Sequence, residues 1–352
     1  MRFIHVSDVH LGRRPDVSFP WGEAREQELW STFAAVVSEC RTQKTDLLLI
    51  AGDLFDHQPS LEELKRVDDI FKTAPDTQVV MVAGASDYLK EECAYEEYRW
   101  ADHVHFLKSA APSSVYLEKL DVTVHGLSYW SDQRPERILE KMVPDDEGEI
   151  QILLAYGGDE RHLPFDQAVL DEAGFDYVAL GMKHNPLVMV SRDISYPGSL
   201  EPLGKDEIGK HGYIAGEITG EERRYRFVPF AFREYMTLKV RVSSDISEQE
   251  LKERLKAVME KQGGHNIYLI CLEGRHDPRH PYHTDQLLQL GNVVEIEDRT
   301  VPDYDIVALL DAHRDDVVGM YMEELLKKPS DKKLQRALYC GLEALLFQEE
   351  PE

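Results

Sequence analysis

Hydrophobic positions follow two rhythms along this chain. Short unbroken apolar runs alternate with stretches in which apolar residues recur every three or four positions. Residues 3–7, 46–51 (DLLLIA), 79–83 (VVMVA), 150–155 (IQILLA) and 177–180 (YVAL) are runs of the first kind. Their continuity predicts strands buried on both faces. Leu29, Phe33, Val36, Val37 and Cys40 predict a helix over about residues 23–41, and Leu61, Leu64, Val67, Ile70 and Phe71 predict a second. The strand runs give way to Gly or Asp, with polar residues just after. In open α/β sheets, ligand sites gather beyond the carboxyl ends of strands. One edge of the sheet is therefore expected to collect Asp8, His10, Asp53, Asp87 and His184.

After about Phe230 the pattern changes. Residues 235–242 (YMTLKVRV) alternate like a half-buried strand, and 248–261 read as a charged amphipathic helix. Strands are predicted over 266–272 and 293–296, with a helix over 284–290 between them. That is a small α+β domain. From about Tyr304 the pattern turns helical, with Leu334, Leu338, Leu342, Leu345 and Leu346 on one stripe. The expected division is 1–230, 231–300 and 301–352, with a frayed tail at 349–352.

Composition changes the picture in one respect. A hydrophobic share of 42% supports a core of ordinary size, but 66 acidic against 40 basic residues leave a net charge of −26. Nucleic-acid affinity rests largely on Lys and Arg neutralising phosphates, so a free-standing nucleic-acid binder is disfavoured. Arg13-Arg14 and Arg223-Arg224 with Arg226 are the local basic candidates, and short clusters of this kind are commonly solvated surface. No apolar run is long enough to span a bilayer, and MRFIHVSD enters a strand at once, so neither a membrane partner nor a signal peptide is expected. Cys40, Cys93, Cys271 and Cys340 lack metal-type or redox-type spacing; a reduced cytoplasmic protein is the simple reading.

Asp8-Val9-His10 follows the first strand and Gly52-Asp53 the second. Each pair alone is a weak signal. Together, at the ends of successive buried strands, they suit phosphodiester hydrolysis by two cations about 3.5–4 Å apart, which orient a hydroxide and neutralise the phosphate. The blocks DVHLG, AGDLF, VAGASDYL, LLAYGGD, LGMKHNP and YPGSLEP resemble the calcineurin-like metallophosphoesterases. Within that family they resemble the branch of SbcD, the nuclease subunit of the bacterial SbcCD DNA-repair complex. The resemblance covers at least residues 1–230 and implies a four-layered α/β sandwich flanked by helices. A small α+β capping domain and a helical C-terminal region would follow it.

The resemblance also implies site roles. One metal would be held by Asp8, His10, Asp53 and His184, all intact. The second would share Asp53 and take an Asn and two His, where this chain has Ala85, Tyr156 and Met182. The family's catalytic His is Ser86 here, and a further family His is Asp56. Alanine and methionine side chains cannot hold a hard divalent ion. One divalent metal is therefore expected, with Mn favoured and Fe or Zn as alternatives, or else a relic pocket held by hydrogen bonds.

Asp56 and His57 are replacement ligands, a relocated catalytic group, or an exposed turn pair, the last being favoured. Lys183 supplies charge where the second metal was, or points into solvent. Asp87 is expected to cap the following turn, and Tyr156 to fill the volume of the lost ion. The branch implies an SbcC-like ABC-type ATPase partner, reached by the C-terminal leucine stripe if that stripe does not pack on its own core. It also implies a homodimer through residues 61–71 and 92–100. The function expected is an impaired, scaffolding member of a DNA-exonuclease branch; the alternative is a working one-metal phosphodiesterase with an altered substrate.

Overall fold

The computed structural model describes residues 1–187, 193–220, 222–328 and 331–347. The chain divides into two compact units, Met1–Tyr235 and Met236–Glu352. The expected fraying at 349–352 lies outside the described residues.

The first unit begins β1 (Arg2–Val6), α1 (Gly22–Gln43), β2 (Leu47–Ala51), α2 (Leu61–Phe71) and β3 (Gln78–Val82). It continues through α3 (Ala94–Glu97), β4 (Val104–Phe106), β5 (Ser113–Leu117), β6 (Val122–Gly126) and β7 (Ile150–Tyr156). α4 (Gln167–Asp171), β8 (Tyr177–Gly181), β9 (Ile194–Ser195), β10 (Gly212–Thr219) and β11 (Glu222–Pro229) complete it. These strands make two sheets, where the apolar runs alone suggest one: β11-β10-β1-β2-β3-β4 and β5-β6-β7-β8-β9. The five apolar runs look alike in sequence, so nothing in them says which sheet each joins.

Strand periodicity explains the layering. Along β2, Leu47, Leu49 and Ala51 face the second sheet and pack on Val122, Val124, Ile152, Leu154, Tyr177 and Ala179. Leu48 and Ile50 face the other way, onto Phe33, Val36 and Cys40 of α1 and Leu64, Val67 and Phe71 of α2. Alternate side chains point to opposite faces, so a strand apolar throughout lies between two apolar layers. The outer face of the second sheet carries Leu153, Ala155, Val178 and Leu180, covered by Leu139, Leu163 and, from α4, Leu170. The result is the helix, sheet, sheet, helix sandwich that the family resemblance implies.

Parallel pairing aligns the ends that matter. β1 pairs with β2 and β7 with β8 in parallel, so Asp8 and Asp53 leave one sheet side by side, and Tyr156 and Met182 leave the other. At Gly181 a Cβ would overlap the Ala51 carbonyl oxygen, so a glycine there lets the two sheet ends touch.

β12 (Tyr235–Val242) begins at the last residue of the first unit, and the second unit goes on through α5 (Glu248–Gly263), β13 (Ile267–His276), α6 (Thr284–Leu287) and β14 (Val293–Pro302). α7 (Ile306–Ala312), α8 (Val317–Leu325) and α9 (Lys332–Leu346) follow. β12, β13 and β14 form one sheet, with β13 and β14 pairing well beyond their apolar cores. The predicted helix at 284–290 is only a single turn. Leu338 and Leu342 of the leucine stripe pack on Tyr304, Val318 and Met322, so the centre of the stripe serves the chain's own core.

Cys40, Cys93 and Cys271 are buried and Cys340 is exposed, all as free thiols. Burial pushes the Cys40 thiol up to about 12. Thiolate, not thiol, reacts, so a disulfide-exchange thiol titration should release one equivalent from the native chain and four after unfolding. Two or more fast equivalents in the native chain would contradict this packing.

Candidate metal centre

Three of the four expected first-metal residues come together. Asp8, His10 and His184 each offer an atom within 4.8 Å of the others. Asp8 and His10 are buried, and His184 is partly exposed. His184 Nε2 lies 3.7 Å from Asp8 Oδ1. His10 Nε2 is buried without a hydrogen-bond partner. A buried polar atom left unsatisfied is costly, and a lone pair facing a carboxylate cluster is what a cation would satisfy. One carboxylate and two imidazoles suit Mn, Fe or Zn. The residues present fit one divalent cation.

The backbone is strained at the same place. Asp8 (φ 50°), His10 (φ 48°), Asp53 (φ 48°) and Met182 (φ 109°) all lie at positive φ, which non-glycine residues seldom adopt. Each costs on the order of 1–3 kcal/mol. The Met182 backbone N–H donates to Asp8 Oδ2 at 3.0 Å, and Ser7 Oγ donates to the same oxygen at 2.5 Å. Burial holds the Asp8 carboxyl above its usual range, with His184 pulling it down and Asp53 pushing it up.

Asp53 stands apart from the other three. Its Oδ2 is 3.7 Å from His10 Nε2, but both its oxygens already accept hydrogen bonds. Tyr156 donates its hydroxyl to Oδ2 at 2.9 Å, Ser86 Oγ donates to the same oxygen at 2.9 Å, and the Ser86 backbone N–H donates to Oδ1 at 2.8 Å. Tyr156 thus does more than fill volume. Burial, then the Asp53 charge, raises its phenol further above the ordinary range, so it stays protonated and donates. Ala85 and Met182 supply no oxygen or nitrogen donor from their side chains. The residues present do not fit a second cation.

Asp87, expected to cap the turn after it, bonds elsewhere. It is fully buried and accepts from the backbone N–H groups of Gly84 (2.8 Å), Leu54 (3.1 Å) and Phe55 (3.3 Å) and from the Tyr95 hydroxyl (2.8 Å). It ties the loops after β2 and β3 together. Burial, then Asp53, pushes its carboxyl up to about 7.

Asp56 is tied to the cluster from behind: its Oδ1 meets His10 Nδ1 at 3.0 Å and Arg13 Nη1 at 3.2 Å. His57 turns outward to Glu63, at 3.1 Å. Lys183 lies over the Tyr196 ring, with Nζ 4.7 Å from its centroid. Glu207, which no sequence spacing marked, meets His184 Nδ1 at 2.7 Å. Its signal in sequence is its place at the head of the segment EIGKHGYIAGEI, which follows YPGSLEP and shares the family resemblance.

The carboxyl ends of the two sheets meet at this aspartate–histidine cluster. The sequence model of the calcineurin-like phosphoesterase family matches residues 1–186. The chain belongs to that family, whose members depend on divalent metal. The DNA double-strand break repair protein Mre11 of Methanopyrus kandleri is 29% identical over 291 residues, 73% of this chain and 62% of that protein. The Mre11 of Sulfurisphaera tokodaii is 25% identical over 308 residues, 79% of this chain and 75% of its own length. The SbcD component of the SbcCD nuclease of Staphylococcus saprophyticus is 23% identical over 265 residues, 65% of this chain and 69% of its own. The match therefore spans less than two thirds of the Methanopyrus relative's length.

Proposed function

We propose that this chain is a one-cation, catalytically impaired member of the SbcD-like branch, acting as a scaffold rather than a nuclease. One observation carries the reading: Asp53, the carboxylate that would bridge two ions, spends its oxygens on Tyr156 and Ser86. Asp8, His10 and His184, with Asp53 at their edge, would hold Mn, or Fe or Zn in its place. When bound, the cation would neutralise charge on a phosphate. The protein's own groups supply little else: Ser86 stands where an imidazole would be needed, and Tyr156 is kept protonated. Loss of a general acid alone costs about 10²–10⁴-fold in rate, and loss of the second cation removes several kcal/mol of transition-state stabilisation.

Four of the five arginines in the two basic clusters already meet carboxylates, which lowers what they offer a nucleic acid. Arg13 pairs with Asp56, Arg14 with Glu26, Arg223 with Asp176 and Asp193, and Arg224 with Glu222. We assign residues 231–300 as the capping domain and the helices after it as the docking region for an SbcC-like ATPase. Val307, Val317 and Met320, exposed on α7 and α8, support that docking. Homodimerisation is assigned to α2 and residues 92–100.

The test is exonuclease turnover of the purified chain with Mn(II). We expect a rate at least about 10⁴-fold below an intact two-metal nuclease, unchanged by Asp53→Ala. Robust turnover that Asp53→Ala abolishes would favour the one-metal phosphodiesterase instead. No helix among the described residues is long and apolar enough to cross a membrane.

A further inference from the structure

Two carboxylates sit behind the two imidazoles of the cluster. Asp56 Oδ1 is 3.0 Å from His10 Nδ1, and Glu207 Oε1 is 2.7 Å from His184 Nδ1. A carboxylate only accepts, so the ring nitrogen facing it carries the hydrogen, and in the neutral imidazole Nε2 then keeps its lone pair. Both Nε2 atoms face the acidic side, 3.7 Å from Asp53 Oδ2 for His10 and 3.7 Å from Asp8 Oδ1 for His184. The carboxylates are themselves held. Arg13 Nη1 donates to Asp56 at 3.2 Å. Ser199 Oγ and the Leu203 backbone N–H donate to Glu207 Oε2 at 2.8 and 2.9 Å.

We infer that Asp56 and Glu207 are positioning residues that lock His10 and His184 in the Nδ1–H form, with both lone pairs aimed at a single cation. Asp56 occupies a position where the family resemblance places a histidine. This chain uses that position to hold a ligand from behind. A carboxylate behind a ligand imidazole fixes its tautomer and orientation and raises its basicity. The site is thereby built to bind one ion without help from a second. The inference rests on the one-cation reading, and its test separates the two.

The first arm is a long-range proton–nitrogen correlation spectrum of the full metal-free chain, labelled with ¹⁵N in histidine only and held in mildly alkaline buffer. His10→Gln and His184→Gln assign the two rings. Both should show the Nδ1–H pattern, and Asp56→Ala should change His10 alone. An Nε2–H pattern in either ring of the parent chain overturns the inference.

The second arm is Mn(II) titration followed by the free-ion electron paramagnetic resonance signal. Asp56→Ala and Glu207→Ala should each weaken binding about 10- to 100-fold. Asp56→Asn and Glu207→Gln, which keep an acceptor oxygen, should weaken it less. Equal affinity in the parent and both alanine variants overturns the inference. Metal-free melting points close to the parent's would show that the variants fold. A parent chain that binds no Mn(II) would overturn the one-cation reading, and the tautomer spectrum would still decide this one.

Discussion

A chain carrying Ala85→Asn, Ser86→His, Tyr156→His and Met182→His together is expected to bind two Mn(II) ions and to cleave phosphodiesters at least ~10³-fold faster than the natural chain. The four changes act on one physical bottleneck. Tyr156→His removes the hydroxyl that now occupies Asp53 Oδ2, and Ser86→His removes the second donor to that oxygen. Ala85→Asn and Met182→His add donors where the side chains now have none that suits a hard ion. Position 182 already holds a side chain at a φ of 109°, so the change from Met to His asks no new backbone conformation of it. The space around Tyr156 is tight, with its ring against Gly52 and Gly84, and histidine is the smaller residue. Ser86→His also restores an imidazole beside the phosphate position. Metal counting by mass spectrometry and a nuclease assay check both halves. One ion and no gain in rate would mean that the defect extends beyond these four side chains.

Mn(II) is expected to raise the thermal midpoint of the natural chain by about 5–10 °C when present at about a hundred times its dissociation constant. Binding at that excess stabilises by roughly 2.7 kcal/mol, and 1 kcal/mol shifts a domain of this size by about 2–4 °C. The source of the gain is visible in the metal-free site. Asp8, Asp53 and Asp87 are all buried close together, and Asp53 pushes the carboxyls of the other two upward. A cation would relieve that repulsion and use the unsatisfied His10 Nε2.

His10→Ala or Asp8→Asn should remove the Mn(II) shift, whereas Tyr156→Phe should keep it. The pH dependence follows from the direction at Asp8. A carboxyl whose folded pKa is raised binds more protons in the native state than in the unfolded chain, so the metal-free native state gains stability as pH falls. Protons then compete with the ion, and the Mn(II)-induced shift should shrink on acidification. Differential scanning fluorimetry across pH reads all of this. An equal shift in His10→Ala would place the ion elsewhere.

Much of this architecture was legible in the apolar runs, because a strand buried on both faces leaves an unmistakable continuous stretch. β1, β2, β3, β7 and β8 could be read to within a residue or two. β10 and β11 could not. Polar residues such as Glu217, Arg223 and Arg224 interrupt them, so they lack that continuity. The partition into two sheets was invisible for a different reason: Leu49 and Ile152 look the same in sequence whether they share a sheet or face each other across two.

The ligand residues were legible as short pairs at strand ends, and so was the loss of donors at Ala85 and Met182. What could not be read was the set of hydrogen bonds that replaced them. Nothing about Tyr156 or Ser86 in sequence says that both point at Asp53. Likewise Asp56 reads in sequence as half of an exposed turn pair beside a helix start, yet β1 and β2 are adjacent parallel strands and bring it against His10. Glu207 reaches His184 across 23 residues and an irregular loop, with no periodicity to announce it.

The most direct test of the account is an anomalous-difference map from a crystal of this chain soaked in Mn(II). One peak bounded by Asp8, His10 and His184, with Asp53 still bonded to Tyr156 and Ser86, is the result expected. A second peak between Asp53 and Tyr156, or no peak at the histidine pair, would contradict it.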